Sequence, residues 1–259
     1  MLVQDQMGRQ IAVPEQPKRI ISLVPSQTEL LFDLGLADSI IGITKFCIHP
    51  KEEVKNISKI GGTKNFDFDK IEALQPDLII GNKEENYQEG IEKLAEKYPV
   101  WLSDIYELAD ALQMIQTLGE LTCKSKEAKS LCEQIEQNFS QLPKISSNKT
   151  VAYLIWRKPY MAVAKNTFID AMLTEIGLSN VFGDRERYPE TNLIELSEKK
   201  PNCMFLSSEP YPFKEKHIAE LQEVCPESKI LLVDGEMFSW YGSRLLKSSG
   251  YFQELLQIL

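Results

Sequence analysis

Cys47 and His49 stand two residues apart in the stretch TKFCIHP (44–50). On an extended segment such a pair points the same way. A thiolate and an imidazole so placed suit two kinds of chemistry. They can ligate a soft transition metal, or they can act as nucleophile and base. Glu84, Glu85 and Glu209 could add carboxylates to either arrangement. The plain alternative is a packed thiol beside a hydrogen-bonded loop histidine. It gains weight because His217 is the only other histidine, whereas zinc sites draw on several His or Cys ligands. Direct metal binding through Cys47 and His49, and an enzyme using them as a reactive pair, therefore stand as secondary expectations.

A larger set of residues points elsewhere. The segments PSQT (25–28), TKFCIHP (44–50), GGTKN (61–65), NKEEN (82–86), WRKPY (156–160), DRERYPE (184–190), SSEPYPF (207–213) and GEMFSWYGSR (235–244) are rich in aromatic and basic residues. Phe46, Trp156, Tyr160, Tyr188, Tyr211, Trp240 and Tyr241 alternate there with Lys45, Lys64, Lys83, Arg157, Lys158, Arg185, Arg187 and Arg244. Aromatic faces with a few placed cations suit a large, flat, partly anionic organic ligand.

The elements between these segments explain why they would gather. RIISLV (19–24), SIIGIT (39–44), LIIGN (78–82) and VWLS (100–103) are short apolar, β-rich runs, each separated from the next by a helical or turn segment. TVAYLIW (150–156), a shorter run at 161–164, CMFLSS (203–208) and KILLVD (229–234) repeat the pattern after Pro143. Strands alternating with helices imply an α/β fold with parallel sheets. In such sheets ligands sit beyond the carboxyl ends of the strands, where the aromatic segments fall. Within the helical segments, S-Q-T-E at 26–29 reads as a capping box, and Thr167 as the cap of a helix running to about Ile176.

The two halves resemble each other. LGLADSIIG (34–42) matches IGLSNVFG (176–183), and IEALQPDLIIGN (71–82) matches LSEKKPNCMFLS (196–207), in the same order. Between the halves lies KSKEAKSLCEQIEQNFSQL (124–142), without Gly or Pro and with apolar residues at Ala128, Leu131, Cys132, Ile135, Phe139 and Leu142. That periodicity predicts a helix of about 28 Å, started by a Ser125 cap and stopped by Pro143. The expected organisation is an N-terminal α/β lobe (1–123), a connecting backbone helix (124–143) and a C-terminal α/β lobe (144–259) opening on a polar linker, KISSNK.

Bulk properties bound the rest. The 259 residues are 43% hydrophobic and 26% charged, as expected of a globular protein. A net charge of −9 argues against nucleic acid as a partner. No apolar run reaches the roughly 18 residues that a membrane span needs, so no membrane insertion is expected. The five cysteines are scattered without a CxxC pair, which weighs weakly toward a reducing compartment. MLVQDQMGRQIAVPEQPKRI shows neither a signal-peptide pattern nor a lipid-anchor cysteine, so a cytoplasmic location is expected of the chain as written.

RIISLVPSQTELLFDLG, KIGGTKN, IEALQPDLIIGN and GEMFSWYGSRL match in order and spacing a known family. The chain resembles the substrate-binding proteins of bacterial ABC importers for cobalamin and iron–siderophore chelates. That resemblance covers nearly the whole chain. It implies two Rossmann-like lobes joined by one long helix, with a ligand cleft between them and modest closure. It implies a non-enzymatic monomer without an intrinsic cofactor, a corrinoid or ferric chelate as ligand, an ABC permease as partner, and a periplasmic or cell-envelope location. The ligand contacts expected from the residues and the resemblance together are Ser26, Phe46, Cys47, His49, Lys64, Asn82, Lys83, Trp156, Arg157, Tyr188, Glu209, Trp240, Tyr241 and Arg244. In the family's cobalamin binder, tryptophans occupy the positions of Lys64 and Asn82, so a corrinoid fragment, another chelate or a more acidic ligand also fits the resemblance. The family places an acidic residue on each lobe to meet the permease. Asp69 fills that position in the first half, and Ile194 in the second, with Glu195 or Glu190 as substitutes.

Overall fold

A computed structural model describes residues 1–143 and 149–259. Most of the expected KISSNK linker, residues 144–148, lies outside the described residues. The chain forms two compact units. The first comprises Met1–Ile105, Ala109–Gln134 and Tyr241–Arg244, and the second Tyr106–Leu108, Ile135–Trp240 and Leu245–Leu259.

The first unit begins with a hairpin, β1 (Leu2–Gln4) and β2 (Gln10–Ala12). Then follow β3 (Ile20–Ser22), α1 (Pro25–Asp33), β4 (Ile40–Ile43), β5 (Ser58–Lys59), β6 (Gly61–Gly62), β7 (Asn65–Phe66), α2 (Phe68–Leu74), β8 (Leu78–Asn82), α3 (Gln88–Ala95) and β9 (Val100–Ser103). α4 (Leu108–Leu121) and α5 (Ser125–Ser140) complete the first half of the chain. The sheet order is β5-β4-β3-β8-β9, all pairs parallel. β3, β8 and β9 are buried along their whole length. That is why they read as continuous apolar runs and not as alternating ones.

Two local features depart from the sequence reading. α1 starts at Pro25, with Val24 at its N-cap and no side-chain cap, so the expected capping box at 26–29 does not form. Proline suits the first helical position because its missing N–H has no partner there in any case. The hairpin β1–β2, which sequence periodicity missed, covers the outer edge of β9. Gln6 N donates to Leu102 O at 3.1 Å. The buried Asp5 carboxylate accepts from Arg9 N at 2.8 Å and from the Arg9 guanidinium at 2.7 Å. Arg9 Nη2 then reaches Val100 O at 3.0 Å. An exposed strand edge is an aggregation template, and these residues occupy this one.

α5 is shorter than the expected 124–142, and Ser125 is its first residue and not its cap. Its sixteen residues span about 24 Å. The apolar stripe at Ala128, Leu131, Cys132, Ile135, Phe139 and Leu142 is buried throughout, as the periodicity requires. Close packing of α4 on α5 depends on Gly119, where a Cβ would lie 2.3 Å from Ala128 Cβ. The change from the first unit to the second falls between Gln134 and Ile135, inside the helix.

The second unit contains β10 (Thr150–Trp156), β11 (Tyr160–Ala162), α6 (Phe168–Glu175), β12 (Ser179–Asn180), β13 (Glu190–Thr191), α7 (Leu193–Lys199), β14 (Cys203–Ser207), α8 (Glu215–Val224), β15 (Lys229–Val233), α9 (Gly235–Ser239) and α10 (Leu245–Gln257). β12, β14 and β15 join β10 in a parallel core. β11, which overlaps the short run expected at 161–164, and β13, absent from the sequence reading, extend it in the antiparallel sense. Thr167 caps α6 as expected, accepting from Asp170 N. The segment 235–244, read as loop, opens with the short α9, whose start is capped by Asp234.

The internal repeat is visible residue by residue. α1 and α6 both run out into a glycine of positive φ, Gly35 (+75°) and Gly177 (+80°). α2 and α7 both end on a left-handed residue, Gln75 and Lys200, followed by a proline and an Asx residue. Each Asx side chain then fixes the neighbouring strand. Asp77 accepts from Arg19 N at 2.9 Å, and Asn202 accepts from Thr150 N at 2.8 Å.

Candidate functional site

In the first unit a buried polar network lies at the carboxyl end of the sheet. Cys47 is 2% exposed, and its Sγ lies 3.1 Å from Thr28 Oγ1 and 3.2 Å from Thr44 Oγ1. Burial pushes its thiol pKa up against the weaker pull of these hydroxyls. A thiol held protonated in the interior is a poor nucleophile and a poor metal ligand. His49, two residues on, is half-buried on the following loop. Among the described residues, no group of three or more His, Cys, Asp or Glu is arranged to hold a metal ion.

Asn82 belongs to a second buried network, after β8. It is 2% exposed; its Nδ2 donates to Ser103 Oγ at 3.0 Å, and its Oδ1 accepts from Glu84 N at 2.8 Å and Glu85 N at 3.0 Å. Asn86 Oδ1 accepts from Asn82 N at 2.9 Å, and Asn86 Nδ2 donates to Thr63 O at 3.1 Å. These bonds shape the loop after β8 and tie it to the β6–β7 hairpin. Lys64 Nζ adds a bond to Glu84 O at 2.6 Å, and Lys83 pairs with Asp104 at 2.6 Å. Phe46 stands out by contrast. It is 50% exposed, with Lys45 Nζ 5.1 Å from its ring centroid. A Cβ at Gly62 would lie 3.2 Å from the ring, so a glycine there lets the hairpin support Phe46 closely.

The segment Tyr241–Arg244 completes this end of the unit. Tyr241 Oη donates to Glu85 Oε1 at 2.9 Å. Burial, and then the neighbouring Glu85 charge, push the Tyr241 pKa well up. Gly242 takes φ +109°, a conformation that favours glycine, and packs over Leu30 of α1. Arg244 Nε then donates to Glu29 Oε2 at 2.7 Å, with side chains 5% and 6% exposed. Ser26, expected to contact ligand, is 3% exposed beneath this end of the unit.

In the second unit, Trp156 ends β10 and is 39% exposed, edge-on to Tyr211 at 5.7 Å between centroids. Tyr211 packs in turn on Phe213 and on His217. His217 is 2% exposed, and its Nδ1 accepts from Lys214 N at 2.9 Å, closing the start of α8. Arg157 is engaged by Glu220 at 2.6 Å, and Tyr160 Oη donates to the same carboxylate at 2.8 Å. Sequence reading missed Glu220 because the pairing joins Arg157, in the turn after β10, and Tyr160, on β11, to a helix 63 and 60 residues further on, and no local pattern marks it. Tyr188 is half-buried with the Arg187 guanidinium 5.7 Å from its ring.

Trp240 is 7% exposed, and its Nε1 donates to Glu209 Oε1 at 3.1 Å. Ser239 Oγ lies 2.9 Å from the same oxygen. Burial pushes the Glu209 carboxyl pKa up, and the negative Glu236 and Asp234 add to that shift against these two donors. Asp69 is exposed in the first turn of α2. Its counterpart in α7, Ile194, is 73% exposed, while the adjacent Glu195 is engaged by Arg185 and by Thr191 Oγ1 at 2.8 Å. Glu190 is exposed on β13.

Each unit is thus an α/β layer whose strand-end loops hold aromatic side chains, with cations and carboxylates largely paired within the chain. Residues 20–224 match the family described as periplasmic binding protein, and the chain belongs to that family. It is 26% identical over 194 residues to an uncharacterized ABC transporter substrate-binding lipoprotein, YvrC, of Bacillus subtilis, spanning 71% of this chain and 61% of that relative. It is likewise 26% identical over 199 residues to the vitamin B12-binding protein of Vibrio campbellii, spanning 73% and 70%. The fold is shared with a possible iron-binding (periplasmic solute-binding) protein from Staphylococcus epidermidis. There the TM-score is 0.79 at 21% identity, over 93% of this chain and 99% of the other. No helix among the described residues is long and apolar enough to cross a membrane.

Proposed function

We propose that this protein is a non-enzymatic binding protein that captures a metal chelate of corrinoid or iron–siderophore type and delivers it to an ABC permease of the cell envelope. The observation that carries the reading is the pair of exposed aromatic faces, Phe46 at 50% and Trp156 at 39%, set at strand ends in a chain of this family. Large exposed aromatics at the mouth of a rigid α/β layer suit a broad planar ligand. No intrinsic cofactor enters the proposal, and the protein acts as a monomer.

The pairing of cations inside the chain favours a ligand with a neutral, amide-bearing rim over a strongly anionic one. Arg157 is engaged by Glu220, Lys83 by Asp104 and Arg244 by Glu29, so an anionic chelate would have to compete for them. That ranks a corrinoid ahead of a carboxylate-rich siderophore. The alternatives built on Cys47 and His49 lack comparable support, given the buried, hydrogen-bonded thiol.

The test is a titration of the full chain with cyanocobalamin, dicyanocobinamide and a ferric hydroxamate, read by calorimetry and by tryptophan fluorescence. A corrinoid is expected to bind and to quench emission, and Trp156→Ala to lose part of the quench and weaken binding. No heat and no quench with any of the three chelates sinks the reading.

A further inference from the structure

An imidazole closes the start of α8. His217 is the third residue of that helix, and its Nδ1 accepts from Lys214 N, just before the helix, at 2.9 Å. Glu or Gln commonly fills this place and reaches back in the same way. The bond needs a free lone pair on Nδ1, so the proton of the neutral ring sits on Nε2. Nε2 lies 3.4 Å from Tyr211 Oη. The ring is 2% exposed, edge-on to Phe213 at 5.5 Å and tilted against Tyr211 at 5.6 Å between centroids. Tyr211 carries the contact outward to Trp156, the one tryptophan of the chain that is exposed.

An imidazolium cannot keep this arrangement. With both ring nitrogens protonated, Nδ1 becomes a donor aimed at another donor, the Lys214 N–H. The charged groups around the ring do not compensate. Arg157, in the turn after β10, and Lys214 and Lys216, at the start of α8, repel a further cation. Glu220, one turn along α8, attracts it, but that carboxylate is already engaged by Arg157 and by Tyr160 Oη. Tyr211 offers only its hydroxyl.

We propose that His217 is an acid-sensitive latch, whose protonation breaks the cap at Lys214, frees the loop 211–214 and releases Trp156 from Tyr211. Burial, and then Arg157, lower the His217 pKa from 6.5, so the latch is closed near neutral pH and opens only below that value. The loop gives way before the sheet does. It is exposed at Pro212 and Lys214, and its tie to β10 is the 3.3 Å bond from Tyr211 N to Ile155 O. The device needs no ligand, so its test is independent of the function proposed above.

The experiment is acrylamide quenching of the full chain between about pH 8 and about pH 4.5, with Trp156→Phe giving the Trp156 signal by difference. Acrylamide is uncharged, so titration of other groups does not change its approach. The Stern–Volmer slope of Trp156 should rise roughly twofold as the Tyr211 edge leaves one side of the indole, while far-UV circular dichroism stays native. The midpoint should fall below pH 6.5. In a ¹⁵N-labelled sample the His217 ring, assigned by its loss in His217→Gln, should give up its Nε2–H tautomer over the same range. Glutamine at this position accepts from the same Lys214 N–H and stays neutral, so His217→Gln should hold the slope low at every pH. If that variant does not fold, the agreement between ring titration and Trp156 slope in the unaltered chain decides. A flat slope in the unaltered chain overturns the proposal, as does protonation of His217 with Trp156 unmoved. So does a transition that persists in His217→Gln, or one that comes only with loss of the circular dichroism signal, which would make it unfolding of the whole unit.

Discussion

Removing one partner of the Arg244–Glu29 pair should be among the most damaging single changes in the first unit. The two side chains are 5% and 6% exposed and 2.7 Å apart. Arg244 is delivered by Tyr241–Arg244, a four-residue segment that belongs to this unit although its neighbours in sequence belong to the other. Glu29→Gln keeps the shape and removes the counter-charge, leaving a guanidinium in a low-dielectric setting. Breaking a buried pair in this way costs about 3–5 kcal/mol, far more than the 0–1 kcal/mol typical of an exposed pair. For a chain of this size each kcal/mol lowers the melting temperature by roughly 2–4 °C. The assay is urea denaturation followed by circular dichroism, with thermal melts alongside. The double change Glu29→Leu, Arg244→Met should recover most of the loss, because well-packed apolar residues often replace a buried pair at little cost. A loss below about 1 kcal/mol for Glu29→Gln, or a double variant as weak as the single, would refute the argument that the buried charge sets the cost.

Two further outcomes follow from buried titratable groups. Cys47, held between Thr28 and Thr44 with its pKa pushed up by burial, should resist iodoacetamide in the native protein while the exposed Cys123 reacts. Mass spectrometry of tryptic peptides reads this, and preferential labelling of Cys47 would restore the nucleophile reading. His217 is kept neutral, its pKa lowered from 6.5 by burial and by the nearby Arg157 cation. Below pH 6.5 the unfolded chain takes up a proton that the folded chain refuses. Stability is therefore complete above that pH and is lost progressively as the pH falls below it. His217→Gln should flatten this part of the profile in urea titrations at about pH 8 and pH 5, and an unchanged slope would contradict the assignment.

Much of the architecture was legible along the chain because it is written in local periodicity. Runs such as LIIGN and TVAYLIW coincide with β8 and β10 as found, since strands buried on both faces must be apolar throughout. The Asx residue after each proline, Asp77 and Asn202, marked the internal repeat, and the same backbone bond is made at both. The aromatic character of the strand-end loops was likewise plain.

What the sequence by itself determined was the α/β class, the doubled unit and the gathering of aromatics at strand ends, because each depends on spacing within a short segment. Only the tertiary structure decided which of those residues face outward. Phe46 and Trp156 are exposed, whereas Asn82, Cys47 and Arg244 turn inward and are engaged by Ser103, Thr28 and Glu29. Ser26 and Glu29 read as a helix cap, yet Pro25 begins the helix and Glu29 goes to an arginine 215 residues away. Trp240 looked like a bare stacking residue, and it is a ring held by Glu209. The physical reason is the same in each case. A polar side chain removed from water must find its partner wherever the fold supplies one, and that partner can lie at any distance along the chain.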